Sequence, residues 1–354
     1  MKIVGVKSYV QKMALTKPYT IAYSTFSDVT LAFFEVELAN GMIGYGTGSP
    51  AGEVVGETTD QTAINLQTEF VQKFVGRDIR HFQQIIYEAR LHFDHLPGTQ
   101  AAIDIALHDA FGKFIGIAVA DFYGQKIKAL PTSITIGIKN VQETLEDAAG
   151  YLQLGFKILK VKLGLNVEED IEKIIKLHEL YATQFKIRVD PNQGYTLAQL
   201  NQFINATKKV DIDLIEQPLP VGKELELLKV DPAYRPILMG DESLKDPKAA
   251  LEYATSKPFG VYNIKLMKCG GIMGAMEIAT IAKQAQINLF WGCNDESILS
   301  ITAALHAAYC CANTKYIDLD GSFDLAEDLV TGGFELVDGY MHINPLPGFG
   351  VTKL

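Results

Sequence analysis

One stretch near the middle of the chain decides the fold: Phe156-Lys157-Ile158-Leu159-Lys160-Val161-Lys162-Leu163. Side chains alternate along a strand, so Lys160 and Lys162 share one face while the opposite face is purely apolar. An apolar face of this kind packs under helices, which turns the two lysines toward the axis of a closed sheet. The stretch therefore predicts a barrel strand with two inward-facing lysines.

Charged residues then recur at the length of one strand-plus-helix unit. Starting from Lys162, the successive intervals are 28, 26, 25 and 24 residues, and they lead to Asp190, Glu216, Asp241 and Lys265. Each acid follows an apolar run, as a residue at a strand end does. The spacing predicts that three acids, between two lysines, occupy equivalent places in successive units.

The chain from about residue 129 onward alternates short apolar strands with amphipathic helices such as 167–180. Eight strands are predicted, over 132–138, 156–163, 186–190, 214–216, 237–240, 260–265, 288–292 and 316–318. This alternation indicates an α/β fold with a (β/α)8-type barrel, in which active-site residues lie at the C-terminal ends of the strands.

The remainder of the 354 residues is enough for a smaller domain beside a barrel of typically ~250 residues. Predicted strands at 3–10 and 30–38, with a hairpin turn at 40–41, precede helices, which indicates an α+β domain over residues 1–125. Two irregular stretches rich in Gly, Ser, Thr and Pro, 17–28 and 48–59, are predicted lid loops. The barrel is assigned to 126–320, and 321–354 is expected to return to the first domain.

Composition limits the class of protein. Hydrophobic residues make up 48% and charged residues 21%, which is typical of a globular enzyme. The net charge of −10 disfavours nucleic acid or an anionic membrane as partner. No apolar run approaches the ~20 residues of a membrane span, and no signal-peptide pattern precedes the first strand. The four cysteines lack CxxC spacing, so a reducing, cytoplasmic location is predicted.

Three carboxylates at one barrel mouth would repel each other strongly without a cation. An all-oxygen ligand set suits a hard cation, so Asp190, Glu216 and Asp241 predict a Mg²⁺ site. The alternative is that each acid caps the next helix or forms an ion pair. No histidine lies at a predicted barrel-strand end, which disfavours zinc and histidine catalysis.

The lysines predict proton transfer. Strands two and six of an eight-stranded barrel stand nearly opposite each other, so Lys162 and Lys265 face a bound substrate from two sides. A nearby metal and a second cation are expected to lower their pKa, which suits a base near neutral pH. The alternative is a surface lysine at a strand end, which is the interpretation given to Lys268.

The eighth strand ends in Asp318-Leu319-Asp320, which places two more acids on the inward face. They lie outside the register of the three metal-site acids. A cationic group on the substrate is their predicted partner, and a helix cap is the alternative.

Taken together, the motifs resemble the enolase superfamily, in its muconate-lactonizing-enzyme subgroup, over essentially the whole chain. The resemblance rests on KxK at 160–162, Asp-Pro-Asn at 190–192, Glu-Gln-Pro at 216–218, Asp-Glu-Ser at 241–243 and Asn-Ile-Lys-Leu at 263–266 before Gly270-Gly271. Residues 101–109 and 347–350 look like its capping domain. The DxD at 318–320 is similar to that of dipeptide epimerases of the L-Ala-D/L-Glu type.

This resemblance implies that the substrate is a dipeptide whose C-terminal carboxylate binds Mg²⁺. The metal and Lys160 would stabilise an enediolate formed when the α-proton leaves. Lys162 and Lys265 would act as base and conjugate acid on opposite faces, which inverts the α-carbon. The remaining predicted substrate contacts are Asp318 and Asp320 for the free α-ammonium group, Thr135, Cys293 and Asp295 for the dipeptide backbone, and Ser24 in the first lid.

The predicted substrate specificity rests on a position where this sequence differs from the pattern of the family. Family members that prefer an acidic second residue tend to carry an arginine in the first lid, and the matching stretch Ala22-Tyr23-Ser24-Thr25 has none. We therefore expect a neutral, apolar or broad side-chain preference.

Other functions stay open. N-acylamino-acid racemase, o-succinylbenzoate synthase and muconate cycloisomerase belong to the same subgroup, but their substrates lack the ammonium group that Asp318 and Asp320 would bind. Acid-sugar dehydratases would place a histidine at the end of strand seven, where this chain has Trp291-Gly292-Cys293. A barrel that only binds ligands is the alternative outside catalysis. A homo-oligomer is compatible with the sequence, which leaves the number of subunits open.

Overall fold

The computed structural model of the protein describes residues 1–21 and 24–354, and the side chains of residues 18–26 are outside this description. Its N-terminal part contains an antiparallel sheet in the order β1-β2-β3. The strands are β1 Ile3–Ile21, β2 Ser24–Leu38 and β3 Ile43–Gly48.

The first two strands are longer than predicted. Their ladder includes the pairs Tyr19–Phe26, Thr20–Thr25 and Ile21–Ser24, so the prediction of an irregular backbone over 17–28 is wrong. Aromatic and β-branched residues favour extended pairing, and the Ser, Thr and Pro content of the stretch concealed this tendency. Residues 22 and 23 lie outside the described residues.

Helices cover one face of this sheet. They are α1 Gly52–Val55, α2 Thr59–Asn65, α3 Glu69–Gln72, α4 Phe82–His92, α5 Pro97–Ile115 and α6 Val119–Tyr123, with a 3-10 turn at Ile79–His81.

The long helix α5 lies directly on β3. Glycines at 44, 46 and 48 make this possible, because a Cβ atom on any of them would come within 2.1 to 2.6 Å of a carbonyl oxygen of α5. Real side chains do not approach that closely, so strand and helix are held in one register.

The larger part of the chain forms an eight-stranded parallel sheet whose spatial order follows the sequence. A parallel bridge between Thr132 and Ile317 brings its first and last strands together. This arrangement, with the antiparallel N-terminal domain, confirms the predicted fold class. After β4 Ala129–Pro131, which lies outside this sheet, the barrel strands are β5 Ile134–Ile136, β6 Ile158–Lys162, β7 Lys186–Asp190, β8 Ile212–Glu216, β9 Leu238–Gly240, β10 Val261–Ile264, β11 Asn288–Trp291 and β12 Thr314–Ile317.

Most connections between these strands are α-helical. Between β8 and β9 the chain instead forms 3-10 helices at Glu224–Lys229 and Arg235–Ile237, in a segment interrupted by four prolines (218, 220, 232 and 236) that disfavour a continuous helix. The α-helices are α7 Val141–Gln153, α8 Val167–Tyr181, α9 Leu197–Ala206, α10 Pro247–Ser256, α11 Leu266–Cys269, α12 Ile272–Ala285 and α13 Ile298–Tyr309.

The C-terminal segment contacts the first domain. The Phe349 amide donates to Asp109 Oδ1 at 2.9 Å, and Lys353 Nζ donates to Glu35 Oε1 at 2.5 Å. These contacts agree with the expected return of 321–354, while the domain bounds stay a prediction. Its strands are β13 Val330–Gly332, β14 Phe334–Val337, β15 Tyr340–Ile343 and β16 Val351–Lys353.

The barrel interior has an apolar layer beneath its charged mouth. It consists of Leu214, Met239, Val261, Phe290 and Tyr316, each two residues before an inward position at the mouth. Among the described residues, no helix combines the length and apolar character needed to cross a membrane.

Candidate active site

Most of the predicted catalytic and binding residues lie around one cavity at the C-terminal ends of the barrel strands. Its volume of about 470 Å³ is typical of a small-molecule site. The lining includes Thr135, Lys160, Lys162, Asp241, Lys265, Cys293, Asp295, Asp318 and Asp320. The Ser24 side chain lies outside the described residues.

Lys160 is the centre of the charged layer. Its Nζ lies 2.7 Å from Glu216 Oε2, 2.9 Å from Asp318 Oδ2 and 3.3 Å from Asp190 Oδ2. Lys162 Nζ lies 2.6 Å from the same Asp190 oxygen. Buried carboxylates at the ends of β7 and β8 and directly after β12 are thus neutralised by lysines from β6.

Two lysines form ion pairs with Asp241. Lys265 Nζ lies 3.0 Å from Asp241 Oδ2, and Lys268 pairs with Asp241 Oδ1 and donates to the Asn263 carbonyl at 3.1 Å. Lys268 is only 5% exposed, so its interpretation as a surface lysine is wrong. Helix α11 begins directly after Lys265 and turns Lys268 back toward β9.

The pKa of Lys265 does not follow the prediction. Burial lowers it, but the adjacent Asp241 carboxylate more than offsets this, so the pKa of Lys265 lies above that of a free lysine. The sequence argument included the metal and the second lysine as neighbours but not a carboxylate in direct contact.

The charged layer suits a hard cation. Three buried oxygens next to it, Asn192 Oδ1, Glu242 Oε2 and Asn263 Oδ1, have no hydrogen-bond partner among the described residues. Buried acceptors normally have a partner, and Mg²⁺ usually keeps water molecules that can donate to such atoms.

The carboxylates themselves are occupied by lysines. Across residues 1–21 and 24–354, no three acidic, histidine or cysteine side chains are already arranged as a metal site. The reason is that the carboxylate oxygens contact lysine ammonium groups instead. These lysines are Lys160, Lys162, Lys265 and Lys268. The donor chemistry fits Mg²⁺, which Asp190, Glu216 and Asp241 would hold.

The two acids of the eighth strand differ in environment. Burial by itself raises the pKa of Asp318. The Lys160 ammonium and the Ser133 hydroxyl lower the pKa by more than burial raises it, so the pKa of Asp318 is below its usual value. Burial and the neighbouring Asp318 raise the pKa of Asp320. Asp320 Oδ2 accepts a hydrogen bond from the Thr135 amide at 2.8 Å. Oδ1 lies 3.9 Å from Cys293 Sγ, and a thiol is a weak donor. A cation beside Asp320 would stabilise the charged form of this carboxylate and so offset the effect of burial and of Asp318.

The outer cavity wall is acidic. Nine acidic side chains and five lysines line the cavity among the described residues. We use the name acidic rim for Glu53, Asp295 and Asp324, which come from the second lid, the loop after β11 and the loop after β12. Burial and the nearby Asp295 raise the pKa of Asp324 to about 6.

The second lid is fixed at both ends. Ser49 Oγ donates to the Asp295 carbonyl at 3.1 Å, and Asn294 Nδ2 donates to the Ser49 carbonyl at 3.0 Å. At the other end, the buried Glu57 carboxylate accepts two backbone amides from the first turn of α5. The rim residue Glu53 lies between these attachments.

Comparison with known proteins gives the family. The description "Mandelate racemase / muconate lactonizing enzyme, N-terminal domain" matches residues 3–124, and "Enolase C-terminal domain-like" matches residues 143–353. The chain belongs to the enolase superfamily. This confirms the resemblance found in the sequence.

Two relatives are similar over essentially the whole chain. An L-Lys-D/L-Arg epimerase of Desulforapulum autotrophicum is 46% identical over 100% of both chains. A dipeptide epimerase of Methylococcus capsulatus, solved with Mg and the dipeptide L-Arg-D-Lys, is 42% identical, has a TM-score of 0.97 and covers 99% of this chain and 100% of its own.

A third relative binds a different dipeptide. The dipeptide epimerase of Enterococcus faecalis, solved with Mg and L-Leu-L-Tyr, is 32% identical with a TM-score of 0.94, covering 99% of this chain and 100% of its own. The names of these relatives confirm that the chain is an isomerase, and the bound ions confirm Mg²⁺ as the predicted cofactor.

Sequence reasoning missed three buried residues near the cavity: Ser133, Arg188 and Lys268. Ser133 precedes Thr135 by two positions and Arg188 precedes Asp190 by two, so the alternation applied to Lys160 and Lys162 also turns them inward. Lys268 had no such signal, because it lies on α11 after the strand has ended.

Proposed function

We propose that this protein epimerises dipeptides at the α-carbon of the C-terminal residue and prefers dipeptides with basic side chains. The observation that carries the proposal is the surplus of carboxylates around the cavity, nine against five lysines among the described residues. A cavity with an excess of one sign of charge attracts a ligand of the other sign.

The relatives support the basic preference. The sequence argument from the missing lid arginine favours neutral or apolar substrates, whereas the relatives at 46% and 42% identity carry names or ligands with Lys and Arg. Absence of an arginine disfavours an acidic substrate but does not distinguish apolar from basic ones. The acidic rim supports a basic substrate, and its members come from three separate segments.

Proton transfer is assigned to Lys162 and Lys265. They stand on β6 and directly after β10, on different walls of the cavity, and each Nζ contacts a carboxylate that fixes its position. One Nζ would accept the α-proton and the other would donate a proton to the opposite face, which inverts the configuration. When bound, Mg²⁺ supplies positive charge that stabilises the substrate carboxylate as the α-carbon loses its proton.

The remaining residues would bind and orient the substrate. Lys160 adds positive charge beside the same carboxylate. Asp318 and Asp320 would hold the α-ammonium group, and the raised pKa of Asp320 supports a cationic partner there. Thr135, Cys293 and Asp295 line the space between, where the dipeptide backbone would lie.

Substrates without an ammonium group are the main alternative. N-acylamino-acid racemase and o-succinylbenzoate synthase activities would use the same lysines and carboxylates. Two adjacent buried acids, Asp318 and Asp320, would then face a neutral amide or an acid, which offers no compensation for their repulsion.

The test is α-proton exchange in D2O with Mg²⁺, followed by NMR and mass spectrometry. The panel pairs Lys- and Arg-containing L,L-dipeptides with L-Ala-L-Glu, L-Leu-L-Tyr and N-succinyl-L-Lys. We expect kcat/KM to be highest for the basic dipeptides. Equal or higher values for apolar dipeptides would refute the basic preference, and exchange confined to N-succinyl-L-Lys would refute dipeptide epimerisation.

A further inference from the structure

Asp318 is held at both of its oxygens. Ser133 Oγ donates to Oδ1 at 2.6 Å, and Lys160 Nζ donates to Oδ2 at 2.9 Å. Asp318 is only 4% exposed, so water has little access to these bonds. A carboxylate with one donor on each oxygen has a fixed plane, and it retains lone pairs for a further donor.

Ser133 is itself fixed from below. Arg188 Nη1 donates to Ser133 Oγ at 2.9 Å and to the Ile317 carbonyl at 2.8 Å. Ile317 is the last residue of β12, and Asp318 follows it. One guanidinium group therefore holds both the hydroxyl and the strand that carries the acid.

The guanidinium has little freedom of its own. Arg188 Nε donates to Asp213 at 3.1 Å, and the group lies 5.3 Å from the ring centre of Phe290 and 5.1 Å from that of Tyr316. A planar group fixed at its edge and its face is well suited to define the position of its partners.

The chain of hydrogen bonds has one direction. Arginine only donates, so Ser133 Oγ accepts from Arg188 and its single hydrogen is available for one acceptor. The Ile317 carbonyl is a more distant acceptor at 3.5 Å, against 2.6 Å for Asp318. The hydroxyl hydrogen is therefore directed to Asp318.

We propose that Ser133 and Arg188 are positioning residues that set the plane of Asp318 for recognition of a substrate ammonium group. Among the described residues, the strong donor to Asp320 is the Thr135 amide, which bonds to Oδ2, and Asp320 lines the cavity. Asp318 supplies the fixed second carboxylate, so that the two acids converge on one cation. This inference rests on the proposed function.

The variant Ser133→Ala removes the hydroxyl without adding volume. We expect KM for a free dipeptide to rise about tenfold, the effect of losing one hydrogen bond to a charged group, with kcat within about twofold. The Ki of the same dipeptide N-acetylated, used as a competitive inhibitor, is expected to stay unchanged, because it has no ammonium group.

Thr207→Val is the matched control. Thr207 also carries a buried hydroxyl, which donates to the Phe203 carbonyl of α9 outside the barrel. Arg188→Lys is the second variant, because a lysine lacks the fork that serves Ser133 and Ile317 together. Its effect on KM and that of Ser133→Ala should not add in the double variant, since both act through one chain of bonds.

The outcomes separate a positioning role from a structural one. A rise in KM for the free dipeptide with an unchanged Ki for the acetylated one supports the proposal. Equal changes in both constants, or a Ser133→Ala enzyme that behaves like Thr207→Val, overturn it while the proposed function stands. Absence of dipeptide exchange in the unsubstituted enzyme would instead refute the proposed function.

Discussion

Two parts of the cavity differ in how their charges are arranged. In the lysine–carboxylate layer, each of Lys160, Lys162 and Lys265 contacts an acid from another strand at 2.6 to 3.3 Å. The acidic rim instead has carboxylates from a lid and two loops, and burial together with the nearby Asp295 raises the pKa of Asp324.

From this difference we infer separate tasks for the two parts. Nearly balanced charges fixed on strand ends suit proton transfer, which requires accurate placement. A surplus of one sign on loops suits selection of an oppositely charged ligand. We therefore expect substitutions in the two parts to affect different kinetic constants.

The largest effect is expected from the lysines. Lys162→Ala and Lys265→Ala should each lower kcat for epimerisation by at least about 10³-fold, because each removes one of two proton-transfer groups. NMR in D2O measures both exchange and inversion. Lys176→Ala, which removes an exposed lysine of α8, is the control. Full activity in either catalytic variant would contradict the two-base mechanism.

The second-largest effect is expected from a variant of the metal site. Glu216→Gln replaces a charged oxygen ligand by a neutral amide, and we expect Mg²⁺ affinity to fall by at least about 100-fold, more than outer-shell changes usually cause. Calorimetric titration with Mg²⁺ measures this without turnover. Unchanged affinity would exclude Glu216 from the metal site.

The rim should influence selection alone. Glu53→Gln combined with Asp324→Asn is expected to lower kcat/KM for basic dipeptides about tenfold, as the loss of two charge interactions near the protein surface allows, and to leave apolar dipeptides unchanged. Glu172→Gln on α8 controls for net charge. An equal loss for both substrate classes would show that the two parts of the cavity are not separable.

The smallest effect is a pH dependence of selection. The pKa of Asp324 is raised to about 6, so this side chain is neutral below that pH and charged above it. The ratio of kcat/KM for a basic over an apolar dipeptide should therefore rise about threefold between about pH 5 and 7. Groups that act on both substrates, including Asp320, cancel in the ratio. The step should disappear in Asp324→Asn.

Strand geometry explains what could be predicted from the sequence. Alternation along β6 and equal unit length are enough to predict that Lys160, Lys162, Asp190, Glu216 and Asp241 lie in one layer. Both rules depend only on backbone repeats, which vary little between strands.

Within the barrel, the errors occur where the chain leaves a strand. Lys268 on α11 folds back onto Asp241, and the rim joins residues 53, 295 and 324, which no local pattern connects. The raised pKa of Lys265 depends on a 3.0 Å contact with Asp241 that spacing does not reveal. Loop geometry and short-range electrostatics both depend on the three-dimensional arrangement of distant segments.

The glycines of β3 bear on how this enzyme can be altered. Helix α5 touches the backbone of β3 at positions 44, 46 and 48, so side chains at these positions would clash and the strand cannot shift along the helix. The position of residue 49, where the chain leaves the strand, is therefore fixed. A library randomised over 50–56, with Ser49 and Glu57 retained, would therefore vary the cavity wall that we propose meets the substrate side chain, while its two attachment points stay in place. New substrate ranges are best sought there, because the lysines on β6 and after β10 belong to a separate framework.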